Sequence, residues 1–246
     1  MSIFVIGDLH LSFHESKPMS IFGDNWEGHE EKIKKDWEQK VTENDLVVLP
    51  GDFSWSTYLP EALEDFQYLN KLPGKKLLLK GNHDYWWTTV TSMRKFLKEN
   101  NLQNIDFLYN NSYEYEGVIL AGTRGWVQSE DAEDKRLEQR EVSRLELSIQ
   151  SGIKEYGSEK PIIVFMHYPP ITSYNIQNNQ NSEFMRVMKK YQVKQCFYGH
   201  LHSTAIKDAI EGNVDGITLK LVSCDGLNFK LFRIEWFWGR RKNTFK

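Results

Sequence analysis

The sequence of 246 residues is poor in cysteine and has no long hydrophobic run. Its two cysteines, Cys196 and Cys224, lie in short apolar segments, so we expect two buried free thiols rather than a disulfide. No apolar run approaches the roughly 18–20 residues that a membrane-spanning helix needs. The first residues, MSIFVIGDLH, lack the cationic segment and cleavage site of a signal peptide. These absences predict a cytoplasmic protein without a membrane segment.

The chain also lacks an excess of positive charge. Its 31 lysines and arginines are outnumbered by 34 aspartates and glutamates, and the formal net charge is −3. Proteins that bind nucleic acid without sequence preference normally present a basic surface, so nucleic acid is not an expected partner. Residues 239–246, GRRKNTFK, are basic, but we interpret this short segment as a solvated chain end.

Short apolar segments recur along the chain, and each ends in a cluster of polar residues. They are about five residues long and nearly continuous in Val, Ile, Leu and Phe, which is typical of buried strands in an α/β sheet. The segments are 2–10, 45–55, 75–84, 117–126, 161–170 and 194–203.

Helical patterns lie between these segments. Apolar residues recur at helical spacing in segments 26–41, 60–69, 90–97 and 184–191. Residues 131–156 are highly charged and carry only a thin apolar stripe, which predicts a long and mostly exposed helix. After residue 210 the pattern becomes strand-like again. This alternation of strands and helices predicts an α/β fold.

Side chains that can bind metals gather at the ends of the predicted strands. In open α/β sheets the functional site lies outside the carboxyl ends of the strands. Five of the seven histidines stand there, whereas His14 and His29 are expected in a loop and on a helix surface. The candidate ligands are Asp8, His10, Asp52, Asn82, His167, His200 and His202.

These ligands predict the kind and number of metal ions. Carboxylate oxygens, imidazole nitrogens and one amide oxygen suit Mn²⁺, Fe²⁺, Zn²⁺ or Co²⁺ better than Ca²⁺, which prefers oxygen alone. Seven side chains exceed the roughly four to six ligands of one ion. Two ions about 3.5–4 Å apart that share a carboxylate would use all of them. Opposite Asp8 and Asp52, two divalent ions would leave a net charge of about +2, which would attract an anionic phosphate.

The motifs that carry these residues resemble those of the calcineurin-like metallophosphoesterase superfamily. They are GDLH, GDFSW, GNHDYWW, MHYPP and YGHLHS, and their ligands run from residue 8 to residue 202. A bacterial group of predicted phosphohydrolases in this superfamily resembles the chain further, in FGDNW, GNHDYWW and GTRGW. The resemblance implies a four-layer αββα sandwich, with two mixed sheets flanked by helices, as a single domain over residues 1–246.

The same resemblance implies a dinuclear centre, for which Mn²⁺ is the expected metal. The first ion would be held by Asp8, His10, Asp52 and His202. The second would be held by Asp52, Asn82, His167 and His200, so that Asp52 bridges the two ions.

Four further residues are candidates for catalysis or substrate binding. The resemblance implies that His83 contacts the phosphate and protonates the leaving group, and that Asp84 orients His83. An imidazole of near-neutral pKa suits a proton donor, and an adjacent carboxylate would keep it protonated. Arg124 in GTRGW could clamp a phosphate oxygen or could be a surface arginine in a turn. Trp86 could stack on a nucleobase or could belong to the core.

The expected activity is metal-dependent hydrolysis of a phosphomonoester or phosphodiester, with a metal-bridging hydroxide as the nucleophile. The substrate would be a small-molecule phosphoester or a nucleotide. A nucleotide pyrophosphate hydrolase or a nuclease is the alternative enzyme, and the acidic balance weighs against a polynucleotide. A non-catalytic scaffold is a further alternative, against which the complete ligand set argues. Substrate selection is expected in loops 11–26 and 171–182.

Overall fold

The short apolar segments form the strands of two sheets in a computed structural model that describes residues 1–14, 17–177 and 182–235. Strands β1 to β4 of the first sheet are parallel, and β11 pairs with β1 in the antiparallel sense. In spatial order this sheet contains β11 (Phe232–Ile234), β1 (Ile3–Val5), β2 (Leu46–Pro50), β3 (Lys75–Leu79) and β4 (Ile105–Phe107).

Among the described residues the second sheet has six strands and is also mixed. In spatial order it contains β5 (Tyr113–Tyr115), β6 (Val118–Thr123), β7 (Ile162–Met166), β8 (Gln195–Tyr198), β10 (Ile217–Leu221) and β9 (Gly212–Val214). The four central strands are parallel, and the edge strands β5 and β9 are antiparallel to their neighbours.

Six α-helices connect the strands in the part of the chain that the structure describes. They are α1 (His29–Lys40), α2 (Leu63–Lys71), α3 (Val90–Glu99), α4 (Ala132–Tyr156), α5 (Ser173–Gln177) and α6 (Glu183–Lys190). Short 3-10 helices are formed by Met19–Phe22, Asp24–Trp26, Leu59–Ala62 and Ser203–Asp208. The side chain of Asp131 caps α4 by accepting the N–H groups of Glu133 and Asp134, which would otherwise lack partners.

Alternation along each strand divides the apolar side chains between two faces of a sheet. In β1, Phe4 belongs to the cluster that α1, α2 and α3 cover, whereas Ile3 and Val5 face the second sheet. The outer face of the second sheet is covered in the same way by Leu145 of α4 and Phe184 of α6. Helices therefore flank two packed sheets, which confirms the predicted αββα fold.

The structure confirms the long helix and corrects one detail of the sequence interpretation. Helix α4 buries Leu145 and Ile149 of the predicted apolar stripe, together with Val142, against the second sheet. His29 is only 2 % exposed, because both of its ring nitrogens face backbone carbonyl oxygens, of Trp26 and Leu9. The basic segment 239–246 lies outside the described residues. Within the described ranges, no helix combines the length and apolar character that crossing a membrane requires.

Candidate metal centre

The loops that follow the parallel strands of both sheets meet at one end of the sandwich, and there the seven predicted ligands converge. Two groups of side chains have ligand atoms within 4.8 Å of one another: one contains Asp8, His10 and His202, and the other contains Asp8, Asp52 and His167. Asp8 and Asp52 follow strands of the first sheet, and the histidines 167, 200 and 202 follow strands of the second. The candidate centre therefore joins the two sheets.

The backbone at this centre is strained. Positive φ angles occur at Asp8 (59°), His10 (46°), Asp52 (50°) and His200 (75°), all of which are predicted ligands. Residues other than glycine rarely adopt this left-handed backbone conformation, and those that do concentrate at functional sites. The strain is compatible with loops that are shaped to aim side chains rather than to connect strands by the easiest path.

One carboxylate oxygen of Asp52 lies between His10 and His167. Oδ2 of Asp52 is 3.8 Å from Nε2 of His10 and 3.5 Å from Nε2 of His167. Its other oxygen, Oδ1, accepts the backbone N–H of His83 at 2.8 Å. Asp52 is thus held by Oδ1 and presents Oδ2 to both histidines.

Hydrogen bonds orient two of the histidines. Nδ1 of His167 lies 3.1 Å from the carbonyl oxygen of Pro50, and Nδ1 of His202 lies 2.9 Å from Oδ1 of Asp225. A carbonyl or carboxylate oxygen needs a donor, so Nδ1 carries a proton in both rings, and in a neutral His167 this leaves Nε2 with a lone pair. Metal-binding histidines in proteins are commonly oriented in this way. Against the effect of burial, the negative charges of Asp8 and Asp225 raise the pKa of His202 to about 10, so Nε2 of His202 would release its proton when a metal binds.

Asn82 presents its amide oxygen to His167 and His200. Oδ1 of Asn82 lies 2.6 Å from Nε2 of His167 and 2.9 Å from Nδ1 of His200. An amide oxygen brings a ligand atom without adding a negative charge. The three side chains come from the loops after β3, β7 and β8, so three strands place their donors at one point.

The two buried carboxylates at this centre would be stabilised in their charged forms by a cation. Burial, and then the negative charge of Asp8, raise the pKa of Asp52 to about 8. Two buried carboxylates side by side disfavour each other's ionisation unless positive charge lies between them. Burial also lowers the pKa of His10, His167 and His200, which favours the neutral imidazole that binds metals.

Unsatisfied polar atoms provide a test of whether a metal fits. Oδ2 of Asp8 is buried and has no hydrogen-bond partner among the described residues. A buried carboxylate oxygen without a donor is costly, and coordination would satisfy it. Together with a donor set of carboxylate, imidazole and amide groups, this oxygen fits divalent transition metals.

Asp84 does not orient His83, contrary to the sequence interpretation. Its carboxylate accepts the backbone N–H groups of Asp52, Phe53 and Gly81 at 2.7–2.9 Å, and also the indole N–H of Trp86 at 3.0 Å. Burial, and then the charge of Asp52, raise the pKa of Asp84 to about 6, against these donors. Asp84 therefore ties the loop that carries Asp52 to the loop that carries Asn82.

His83 stands at the edge of the centre between aromatic side chains. Its ring lies 4.5 Å from the ring of Trp55 and 5.7 Å from that of His10. Its Nδ1 is buried and has no partner within the described part of the chain. Burial, and then the nearby His167 and His202, lower the pKa of His83. An arriving phosphate would act in the opposite direction, because an anion favours the charged imidazolium.

The two candidates for substrate binding are placed differently from each other. Trp86 is 0 % exposed and packs against Phe53 and Phe66, so its position is that of a core residue and not of a stacking platform. Arg124 is half-buried beside the centre, with its guanidinium 4.4 Å from the ring of Trp126. Its backbone carbonyl accepts the N–H of His167 at 3.2 Å.

Sequence reasoning missed three residues of this region. Asp225 orients His202, and its signal was the CDG that follows β10 at the same end of the sheet. The ring of Trp55 stacks on His10 with centroids 4.8 Å apart, and the ring of Tyr168 lies 4.2 Å from His200. Each follows a predicted ligand closely in sequence, which was the available clue.

A groove of about 500 Å³ lies at the opposite end of the first sheet, near the starts of β2, β3 and β4. Its lining contains none of the predicted site residues. The predicted site residues lie at the other end of the strands, as expected for a parallel sheet.

Comparisons with known proteins identify the family and the fold of the chain. The model of the calcineurin-like phosphoesterase family matches residues 1–204. A comparison with curated protein sequences gives no match. Among solved structures, the phosphopantetheinyl hydrolase of Mycobacterium tuberculosis is similar with a TM-score of 0.52 and 13 % identity, over 90 % of this chain and 88 % of that one.

Two other solved structures match the chain over most of its length. GAP50 of Plasmodium, described as the anchor in the inner membrane complex, has a TM-score of 0.51 and 14 % identity, over 91 % of this chain and 71 % of that one. A protein of unknown function from Aquifex aeolicus has a TM-score of 0.48 and 17 % identity, over 94 % and 95 %. At these identities the similarities concern the fold alone.

Proposed function

Because the chain belongs to the calcineurin-like phosphoesterases, which are metal-dependent phosphoric ester hydrolases, we propose that it hydrolyses a small phosphomonoester or phosphodiester at a dinuclear centre. The observation that carries this proposal is the position of Asp52, whose Oδ2 lies between His10 and His167. A single oxygen near both groups of imidazoles is what a bridging carboxylate requires.

The ligands would divide between the ions as the family resemblance implies. Asp8, His10, Asp52 and His202 would hold one ion, and Asp52, Asn82, His167 and His200 the other. When bound, the two ions would supply Lewis-acid chemistry, drawing charge from phosphate oxygens and acidifying a water. Mn²⁺ is the proposed metal, since the mixed oxygen and nitrogen donors suit it.

His83 is proposed to bind the phosphate and to donate a proton to the leaving oxygen. Its position at the edge of the centre, against the ring of Trp55, supports contact with the substrate rather than with an ion. Asp84 is proposed as a positioning residue that acts through Asp52, because its carboxylate is occupied by backbone N–H groups. A cytoplasmic location is also proposed, and the two buried free thiols support it.

The experiment that tests the function is a metal-reconstituted screen of phosphomonoesters, phosphodiesters and nucleotide pyrophosphates. Hydrolysis is expected to disappear with a chelator and to return with Mn²⁺, with close to two ions bound per chain. Asp52→Asn is expected to lose the most activity, because it alone would touch both ions. Full activity with one bound ion would overturn the dinuclear proposal.

A comparison across leaving groups tests His83. His83→Ala is expected to keep the bound metal and to lose about 10²–10⁴ in rate, as when a general acid is missing. The loss should be small for nitrophenolate, which needs little protonation, and largest for alkoxides. A loss that does not depend on the leaving group would mean that His83 stabilises phosphate charge only.

A further inference from the structure

Beside the candidate centre lies a cluster of arginines that the proposed hydrolysis does not use. The Oε1 atom of Glu141 lies 2.6 Å from Arg144, 3.4 Å from Arg140 and 4.0 Å from Arg124. Glu141 is 1 % exposed, and its Oε2 accepts the hydroxyl of Thr123 at 2.7 Å. One carboxylate balances one guanidinium, so three arginines around it leave an excess of positive charge.

The guanidinium of Arg124 is held in place without being satisfied. Its Nε is buried and has no hydrogen-bond partner among residues 1–14, 17–177 and 182–235. The contact with Glu141, at 4.0 Å, is too long for a hydrogen bond. The ring of Trp126 covers one face of the group at 4.4 Å. Buried charged donors normally have hydrogen-bond partners, and the described residues supply none for this Nε.

Lys80 adds a cation from the other sheet. A Cβ atom on Gly122 would lie 2.9 Å from the Leu79 side chain, so the ends of β3 and β6 face each other across the sandwich. Lys80 follows β3, and Arg124 follows β6. Lys80 and Arg124 therefore start from facing strand ends.

The cluster is separated from the candidate metal centre by one aromatic residue. The backbone carbonyl of Arg124 accepts the N–H of Tyr168 at 2.9 Å. The ring of Tyr168 lies 5.7 Å from the ring of Trp126 and 4.2 Å from the ring of His200. A molecule with one end at His200 could therefore pass over Tyr168 and place its other end at the arginines.

We propose that Arg124, Arg144 and Lys80 form a subsite for a second phosphate group, so that the preferred substrate is a phosphoester that carries two phosphates. The proposal rests on the proposed function for the chemistry at the first phosphate. Guanidinium groups suit phosphate because their N–H donors match its oxygens in pairs. The opposing interpretation is that the arginines only fasten α4 to the second sheet through Glu141.

Calorimetry with two anions that cannot be hydrolysed tests the subsite on the Mn²⁺-loaded protein. Methylphosphonate has one phosphonate group, and methylenebisphosphonate has two. Arg124→Gln and Arg144→Gln are each expected to weaken the binding of methylenebisphosphonate by about tenfold or more, and that of methylphosphonate by less than about threefold, since a charged hydrogen bond is worth at least one factor of ten. Bound metal is measured on the same samples.

Arg136→Gln is the matched control, because Arg136 lies on α4 like Arg144, its side chain is 70 % exposed, and it pairs with Glu133. It is expected to leave the ratio of the two affinities unchanged. If Arg124→Gln fails to fold, Arg124→Lys, which keeps the charge but not the paired donors, is expected to lower the ratio partially. An equal loss of both anions, or an unchanged ratio in both folded glutamine variants, would overturn the subsite.

A longer anion identifies the kind of substrate. If the glutamine variants also weaken the binding of propane-1,3-bisphosphonate, the two phosphates stand on separate parts of the substrate. If they weaken the binding of methylenebisphosphonate alone, the substrate carries a diphosphate. Binding is measured without turnover, so the subsite can be found in a protein that hydrolyses nothing. Conversely, an active hydrolase with an unchanged ratio would contradict only the subsite.

Discussion

At the scale of single residues, Asp225 orients the ring of His202 so that its Nε2 faces Asp8 in the candidate centre. The carboxylate accepts from Nδ1 of His202 at 2.9 Å and from the N–H of Ser203 at 2.9 Å. Asp225→Asn is therefore expected to lower the affinity for Mn²⁺ by about 10–100-fold, as is typical when the partner of a ligating histidine is removed. Equilibrium dialysis measures this, with Asp215→Asn as a control because Asp215 is exposed and pairs with Lys189. An unchanged affinity would show that His202 needs no orienting group.

A second residue-scale prediction concerns the buried Asp65. Burial raises its pKa to about 6, although hydrogen bonds from Ser54 and Phe13 oppose this. The folded state then binds the proton more tightly than the unfolded state, whose pKa is about 3.9. Its contribution to stability is complete below about pH 4 and is lost as pH rises through 6.

Asp65→Asn removes this titration while keeping an oxygen for the Phe13 N–H. The free energy of unfolding of the wild type, relative to Asp65→Asn, is expected to fall by about 1–2 kcal/mol between pH 5 and pH 7.5. Urea denaturation at several pH values measures the difference. Parallel stability curves for the two proteins would contradict the raised pKa.

At the scale of elements, the loops after neighbouring strands hold one another in place. Asp84, in the loop after β3, accepts N–H groups from Asp52 and Phe53 in the loop after β2. Asp84→Ala would leave these buried donors unsatisfied, and we expect a loss of about 3 kcal/mol or more of stability, together with weaker metal binding. Hydrogen exchange should accelerate at the amides of 52–54 and 81. If only His83 and the pH profile of the rate were affected, Asp84 would be an orienting partner of His83 after all.

Close approach between loops also depends on one glycine. A Cβ atom on Gly199 would lie 2.3 Å from Oδ2 of Asp8, so Gly199→Ala must displace that carboxylate. We expect a loss of about tenfold or more in Mn²⁺ affinity, in line with the loss of a well-oriented ligand. Gly7→Ala is the control, because its Cβ would meet nothing closer than 3.4 Å. Equal affinity in both variants would mean that the carboxylate moves freely.

At the scale of the whole molecule, the candidate centre connects two sheets that otherwise meet through their apolar faces. Asp8 and Asp52 come from the first sheet, and His167, His200 and His202 come from the second. Bound ions are therefore expected to stabilise the sandwich, by about 2.7 kcal/mol when free Mn²⁺ is 100 times its dissociation constant. Thermal unfolding with Mn²⁺ and then with a chelator measures this. A melting temperature that does not respond to metal would contradict binding at the junction of the sheets.

The sequence predicted much of the fold because its signals are local. Strands β1, β2, β3, β6, β7 and β8 form inside the predicted apolar segments. The three-residue strands β4, β5 and β9 were missed, because such short segments contain too little pattern to stand out from loops. The order of the strands was also beyond prediction, since β10 pairs with β8 although a 3-10 helix and β9 come between them in the chain.

The sequence by itself determined the motifs of the family, the types of the candidate ligands and their positions at strand ends. Only the tertiary structure decided what each polar group contacts. It separates Asp84 from the imidazole of its neighbour His83 and gives it the amides of Asp52 and Phe53, and it pairs His202 with the distant Asp225. The physical reason is that a side chain bonds to whatever the folded backbone brings within about 3 Å, and adjacency along the chain does not specify that direction.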